Sequence, residues 1–500
     1  MARRLLMLGA ILVALGVVYA AAWQTQPGAT ASQPHASQAG ATAAVTSITR
    51  SCPPPGPGTG EGHVAVVAAP AQSGAGQSAG TGSAQLSAIP QAASQPAASK
   101  QKTGQQNAGK QASAPVTVTT PGALTVSAAP QAASYGGTAI SATGEMAEGF
   151  EAEMTTASGV GLVSCTHAGA DMWFAGTGAS AGASTSELYL ANTGDLAASV
   201  DVTLITDAGI QQGLSSAIVV GPKGYQTVSL APYVRGSLVM AVHVQTSSGQ
   251  VAAAIWQSGG SGGSWLPQAA QPSTQLVIPG LASASSAAHL FVIVPGAANA
   301  HVSVKALTSH GLFLPFGTQA EEAPAAASSS FALTSLGASA ASLVLTSDVP
   351  ITAGIEVPGS GIGQFSAAAE PITQQGVIAG NPAAGQGTVS LVLSAPAGAA
   401  SASITVLPAG TAGTADGPAQ PQVVQVPAKS TVAVPVQAPK GGQPFAIVVT
   451  PGASSGPLYA ARVVTSGGPG GPVVSILPVS STPTEVTLSP ARDSYTAILP

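Results

Sequence analysis

Residues 199–204 read SVDVTL, with Val200, Val202 and Leu204 at every second position and Ser199, Asp201 and Thr203 between them. A period of two puts the apolar side chains on one face of an extended strand and the polar ones on the other. The pattern returns as HVSVKA at 301–306 and as SASITV at 401–406, offsets of 102 and 100 residues. An apolar run lies upstream of each: LYL at 188–190, LFVIV at 290–294 and SLVL at 390–393. Self-similarity at a fixed offset is an internal repeat.

Other parts of the unit recur. VVGPKGYQTVSLAP at 219–232 matches VVQVPAKSTVAVP at 423–435 and VTVTTPGALTVSAAP at 116–130. TSSGQVAAAIW at 246–256 matches TSDVPITAGIE at 346–356 and, more loosely, ATGEMAEGFE at 142–151. Four related units follow: 46–168, degenerate and carrying a low-complexity insertion at 72–113, then 169–272, 273–374 and 375–472. Strands at 473–500, such as EVTL at 485–488, end the chain. Short strands at this density, separated by Gly, Pro and Ser turns, predict an all-β protein of tandem, immunoglobulin-like β-sandwiches. A β-propeller is the alternative; its repeats are shorter, so each unit would have to hide two blades.

Of the 500 residues only 13 are Lys or Arg and 18 are Asp or Glu, so 6% are charged. An ordinary soluble domain carries about 25%. Catalysis and phosphate binding draw on those residue types, so the composition argues against an enzyme and against a nucleic-acid binder. Positive mean hydropathy argues equally against disorder throughout.

Arg3 and Arg4 precede an uninterrupted apolar run at 5–23, LLMLGAILVALGVVYAAAW. As a helix it would reach roughly 28 Å, enough to cross a bilayer. The arginines should stay cytoplasmic, placing the rest of the chain outside. Residues 1–23 are thus expected to be a signal-anchor helix, or a signal peptide cleaved after Ala22 at the Ala20-Ala21-Ala22 site. Residues 24–45, rich in Ala, Gln, Gly, Ser and Thr, read as a tether. Export also gives meaning to Cys52 and Cys165, the only two cysteines, which are expected to form one disulfide.

The short motifs carry little chemistry. G-x-S-x-G occurs around Ser78, Ser180, Ser261 and Ser454, as chance delivers in a Gly- and Ser-rich chain, and none has a clear strand-to-helix context. Ser99 to Lys102 and Lys102-Thr103-Gly104 imitate penicillin-binding signatures inside the low-complexity stretch. The seven histidines, His301 among them on an outward strand face, show no ligand spacing. Glu145, Glu148, Glu151 and Glu153 form the densest acidic stretch; a charged strand edge that resists aggregation suits it better than a calcium loop. Trp173 aligns with apolar positions that open the later units and is expected in a core. Trp256 and Trp265 flank SGGSGGS and form either an exposed sugar-stacking platform or, the commoner use of Trp in a sandwich, the cover of a core edge. No catalytic residue, metal ligand or cofactor site is expected.

S-C-P at 51–53, a second cysteine before W-F-x-G (Trp173, Phe174, Gly176) and L-x-L-x-N (Leu188, Leu190, Asn192) resemble a family of actinobacterial exported proteins of unknown function. The resemblance implies export and a β-rich architecture. The expected role is a non-enzymatic scaffold or spacer of the cell envelope, held to the cytoplasmic membrane by the N-terminal helix. A module binding cell-wall glycan or another polymer is the alternative, and a hydrolase the last.

Overall fold

The SVDVTL alternation lies in the strand Ala198–Thr206, where Val200, Val202 and Leu204 are buried and Asp201 is exposed. HVSVKA and SASITV lie in Ala300–Thr308 and Ala400–Pro408, with Val302, Val304, Ala402 and Ile404 inward. The upstream run at 290–294 is buried on both faces: Leu290 and Val292 point into their own sandwich, Phe291 and Ile293 against its neighbour, and in the other two runs only Tyr189 and Ser390 are half-buried. That is why they read as continuous apolar stretches, while the half-exposed strands alternate.

The computed structural model describes residues 42–57, 62–69, 80–90, 115–129, 135–156, 162–183, 185–212, 214, 217–260, 262–281, 288–315, 321–333, 341–359, 361–410, 420–468 and 471–488. Among them the structure is almost wholly antiparallel β, with three single-turn 3₁₀ helices and no α-helix. None of their helices is long and apolar enough to cross a membrane. The expected N-terminal helix, the Ala22 site, most of the tether, and the motifs at Ser78, Lys102 and Ser261 lie outside the described residues.

The first sandwich shows the topology. Its eight strands are Ser47–Cys52, Gly62–Ala68, Ala84–Pro90, Val116–Val118, Thr125–Ala128, Tyr135–Thr143, Phe150–Thr156 and Val163–Ser164. One sheet has the order first, sixth, third, fourth; the other has fifth, second, seventh, eighth. The same two orders recur in three further sandwiches built from 171–269, 273–367 and 376–478. In the third, the sixth and seventh strands are one continuous strand, Ala341–Gly359, that passes from one sheet to the other. The seventh strand therefore pairs with the second, not with the sixth as in an immunoglobulin constant domain. After each eighth strand the chain crosses back to the first: Thr166 meets Ser51, Ala269 meets Trp173, Ala369 meets Val277 and Ser481 meets Gly376.

Two sequence expectations are corrected here. Residues 84–90, inside the stretch taken as an insertion, are the third strand of the first sandwich, with Ala84, Leu86 and Ile89 buried. An Ala- and Ser-rich strand is hard to tell by composition from the linker around it. Gly471–Pro478 pairs with Tyr459–Gly468 and completes the fourth sandwich, which therefore ends at 478 and not at the expected 472.

Contacts divide the chain into a large unit, Ala43–Val486, and a second in which only Thr42, Thr487 and Leu488 are described. Within the large unit each sandwich packs on two others. The first meets the second through Ala254, Trp256 and Trp265. The second meets the third through Phe291, Ile293, Phe365 and Ala367, with the Ser328 hydroxyl donating to the Ile205 carbonyl at 2.9 Å. The third meets the fourth where Ser342 and Ser394 hydroxyls lie 2.6 Å apart; there a Cβ on Gly280 would lie 2.4 Å from that of Ala461. The fourth returns to the first through Val67, Leu124, Val377, Ala379 and Val448. The tandem sandwiches thus close into a cycle.

Candidate functional site

The buried charges of the described residues gather in one place. Arg50, Glu148, Glu151, Glu153 and Arg462 are the charged side chains below a tenth exposed. The acidic members come from the stretch read as a charged strand edge, and that reading is overturned. Phe150–Thr156 lies between Gly62–Ala68 and Val163–Ser164, so it is an interior strand. Phe150, Ala152 and Met154 face the core of the first sandwich, and the strand's other face carries Glu151 and Glu153 toward the fourth.

Glu153 is fully engaged. Its carboxylate accepts from the backbone N–H groups of Ala379 at 2.9 Å and Gly380 at 3.1 Å, and from Arg462 Nη1 at 2.7 Å. Arg462, 0% exposed, also donates from Nη1 to the Gly380 carbonyl at 2.7 Å. Desolvating an ion pair costs several kcal/mol per ion, and extra hydrogen bonds on the carboxylate are what offset it. Glu153 has those bonds. Glu151 is less well served: Arg50 Nη2 is 3.4 Å from Oε2, and Oε1 is buried without a partner. Burial pushes its carboxyl up to about 7, with Arg50 opposing the rise and Glu153 adding to it.

Close by, Cys52 ends the first strand and Cys165 follows the eighth; the two form a disulfide and are fully buried. The bond ties the two sheets of the first sandwich at the edge where the chain crosses between them.

The aromatic candidates are also placed. Trp256 and Trp265 are 1% and 4% exposed and meet edge to face at 5.2 Å. Neither offers a surface for a sugar, so the exposed platform is ruled out for this pair; the rings fill the junction of the first and second sandwiches. A Cβ on Gly56 would lie 2.3 Å from the Trp256 ring, which is why that position takes glycine. Trp173 is buried as expected, stacked at 4.0 Å on His243, whose Nε2 lies 3.0 Å from Asp171. His301 is exposed and joined to Asp348 at 2.8 Å. Ser180 sits exposed on a 3₁₀ turn and Ser454 in a turn, neither in the strand-to-helix setting of a nucleophile elbow. An open groove of about 380 Å³ on the third sandwich is lined by Ser303, Lys305, Leu312, Phe313 and Leu314.

The arrangement is a buried clasp within an all-β assembly of sandwiches. The chain belongs to a family of unknown function, DUF5719, whose model matches residues 125–437. The match takes in Glu151, Glu153 and Cys165 and stops short of Cys52, Arg50 and Arg462. No curated protein and no solved structure matches the chain.

Arg50 and Arg462 escaped the sequence reading. A signal was there, since ARVV at 461–464 places an arginine inside an otherwise apolar strand, where a charge needs a partner. Nothing in the sequence says that the partner is 309 residues away.

Proposed function

We propose that the protein is a non-enzymatic scaffold of the actinobacterial cell envelope, exported through residues 5–23 and held at the outer side of the cytoplasmic membrane. The observation that carries this reading is the buried Cys52–Cys165 disulfide, a bond that persists in oxidising compartments. The run behind Arg3 and Arg4 supports the same direction of export. A cycle of sandwiches with few charges suits a rigid body that presents loops to other envelope proteins. The polymer-binding alternative loses its aromatic support now that Trp256 and Trp265 are buried.

Membrane fractionation with N-terminal sequencing tests the reading. Membrane-bound chain with an intact N-terminus and no free thiol is the expected result. Chain released into the medium with Trp23 first removes the anchor, and a cytoplasmic, thiol-reduced chain removes the proposal. Crosslinking in the native envelope then identifies what the scaffold holds.

A further inference from the structure

The junction between the first and fourth sandwiches differs from the other three. Those join sandwiches that are consecutive in the chain, whereas this one is closed by non-covalent contacts alone. Its apolar part is built largely of Ala and Val, among them Ala65, Val67, Ala379, Ala446 and Val448. Its polar part is the clasp of Glu153 on Ala379, Gly380 and Arg462, with backbone bonds from Leu124 to the Pro408 carbonyl and from Gly149 to the Pro483 carbonyl. Beside the clasp Glu151 and Arg50 form a second buried pair. Buried charge is tolerated only when it is paired and hydrogen-bonded. Glu153 has three donors on its carboxylate, while Glu151 has a 3.4 Å contact and one oxygen without a partner.

We propose that this junction is a proton-controlled latch: protonated Glu151 holds the cycle closed, and its ionisation loosens the contact between the first and last sandwiches. The groups facing Glu151 are Arg50 on the first strand and Glu153 on its own, with Arg462 reached through Glu153. Of the fourth sandwich's strands at this contact, Gly376–Asn381 and Phe445–Pro451 contribute no titratable side chain, and Tyr459–Gly468 contributes Arg462. His63, on the adjacent strand, pairs with Thr155 four residues along, and exposed His167 lies in the field of Arg50.

The closed junction holds the Glu151 proton up to about pH 7, while an opened one releases it near the ordinary value of 4.5. Closure is therefore strongest below 4.5, weakens as pH rises through that interval, and levels off above 7.

Amide hydrogen exchange on the full chain, corrected for intrinsic rates and run from pH 5.5 to 8, tests the latch. The amides of Ala379, Gly380 and Leu124 cross the junction; those of Thr177 and Leu230 bond within the second sandwich and serve as controls. The junction amides should lose protection on the order of tenfold over that range, with the controls unchanged. Glu151→Gln should keep the low-pH protection throughout, and Arg50→Gln should move the transition to higher pH. A flat wild-type profile, or a loss shared equally by the controls, overturns the proposal even if neither variant folds. So does an unaltered profile in Glu151→Gln, or an unmoved midpoint in Arg50→Gln.

Discussion

Arg462 shows how much one side chain carries in a protein so poor in charge. It runs from the strand Tyr459–Gly468 to the Gly380 carbonyl and the Glu153 carboxylate, buried throughout. Arg462→Met leaves Glu153 with two backbone donors and no countercharge, and should cost about 3–5 kcal/mol in denaturant unfolding. Adding Glu153→Gln should recover part of that loss, because the uncompensated charge is then gone. The disulfide acts by another route. Its 113-residue separation corresponds to about 5 kcal/mol in the chain-entropy model. Cys52→Ala with Cys165→Ala should therefore lower the stability by about 2–5 kcal/mol, read from equilibrium unfolding under matched conditions.

At the scale of the strand, the period of two determines which substitutions matter. Val202 faces the core and Asp201 the solvent, one residue apart in Ala198–Thr206. Val202→Asp should cost about 4 kcal/mol or more, and Asp201→Ser should stay within about 0.5 kcal/mol, when both are compared by thermal unfolding. Strands buried on two faces are less tolerant. Trp256 lies on the outer face of its own sandwich yet fills the core of the first. Trp256→Ala should cost about 3–5 kcal/mol, as for other large-to-small changes in cores. Intrinsic tryptophan fluorescence should shift with it, since the Trp265 ring 5.2 Å away loses its cover.

The whole large unit is a cycle, and a cycle behaves unlike a string of domains. Each sandwich keeps its own core, and each also buries an outer face on either side. Ending the chain at residue 373 would uncover Ala65, Val67 and Leu124 on the first sandwich and the Gly280 surface on the third. Such a truncation should self-associate, by light scattering after size-exclusion chromatography, because the uncovered faces are apolar. Independent tandem sandwiches would instead give a shorter monomer. The low overall charge fits the same picture: the faces that pack against neighbouring sheets are apolar, from Trp256 and Phe291 to the Ala- and Val-rich contact that closes the cycle.

The sequence by itself determined the repeat, the strands that carry it and their inward faces, though not the Ala- and Ser-rich strand at 84–90. Alternation at Val200, Val202 and Leu204, and its return about a hundred residues later, is local information that pleated geometry makes readable. The disulfide was also legible, because the chain has two cysteines and they leave one pairing. What the acids at 145–153 do was decided only by the tertiary structure. A charged residue looks the same in sequence whether its strand is an edge or lies between two others, and Phe150–Thr156 lies between two. The pairing of Glu153 with Arg462 and the burial of Trp256 likewise depend on sandwiches far apart in the chain meeting face to face. Contacts across 309 residues leave no periodic trace, because they follow from how the cycle closes and not from the backbone geometry of any one strand.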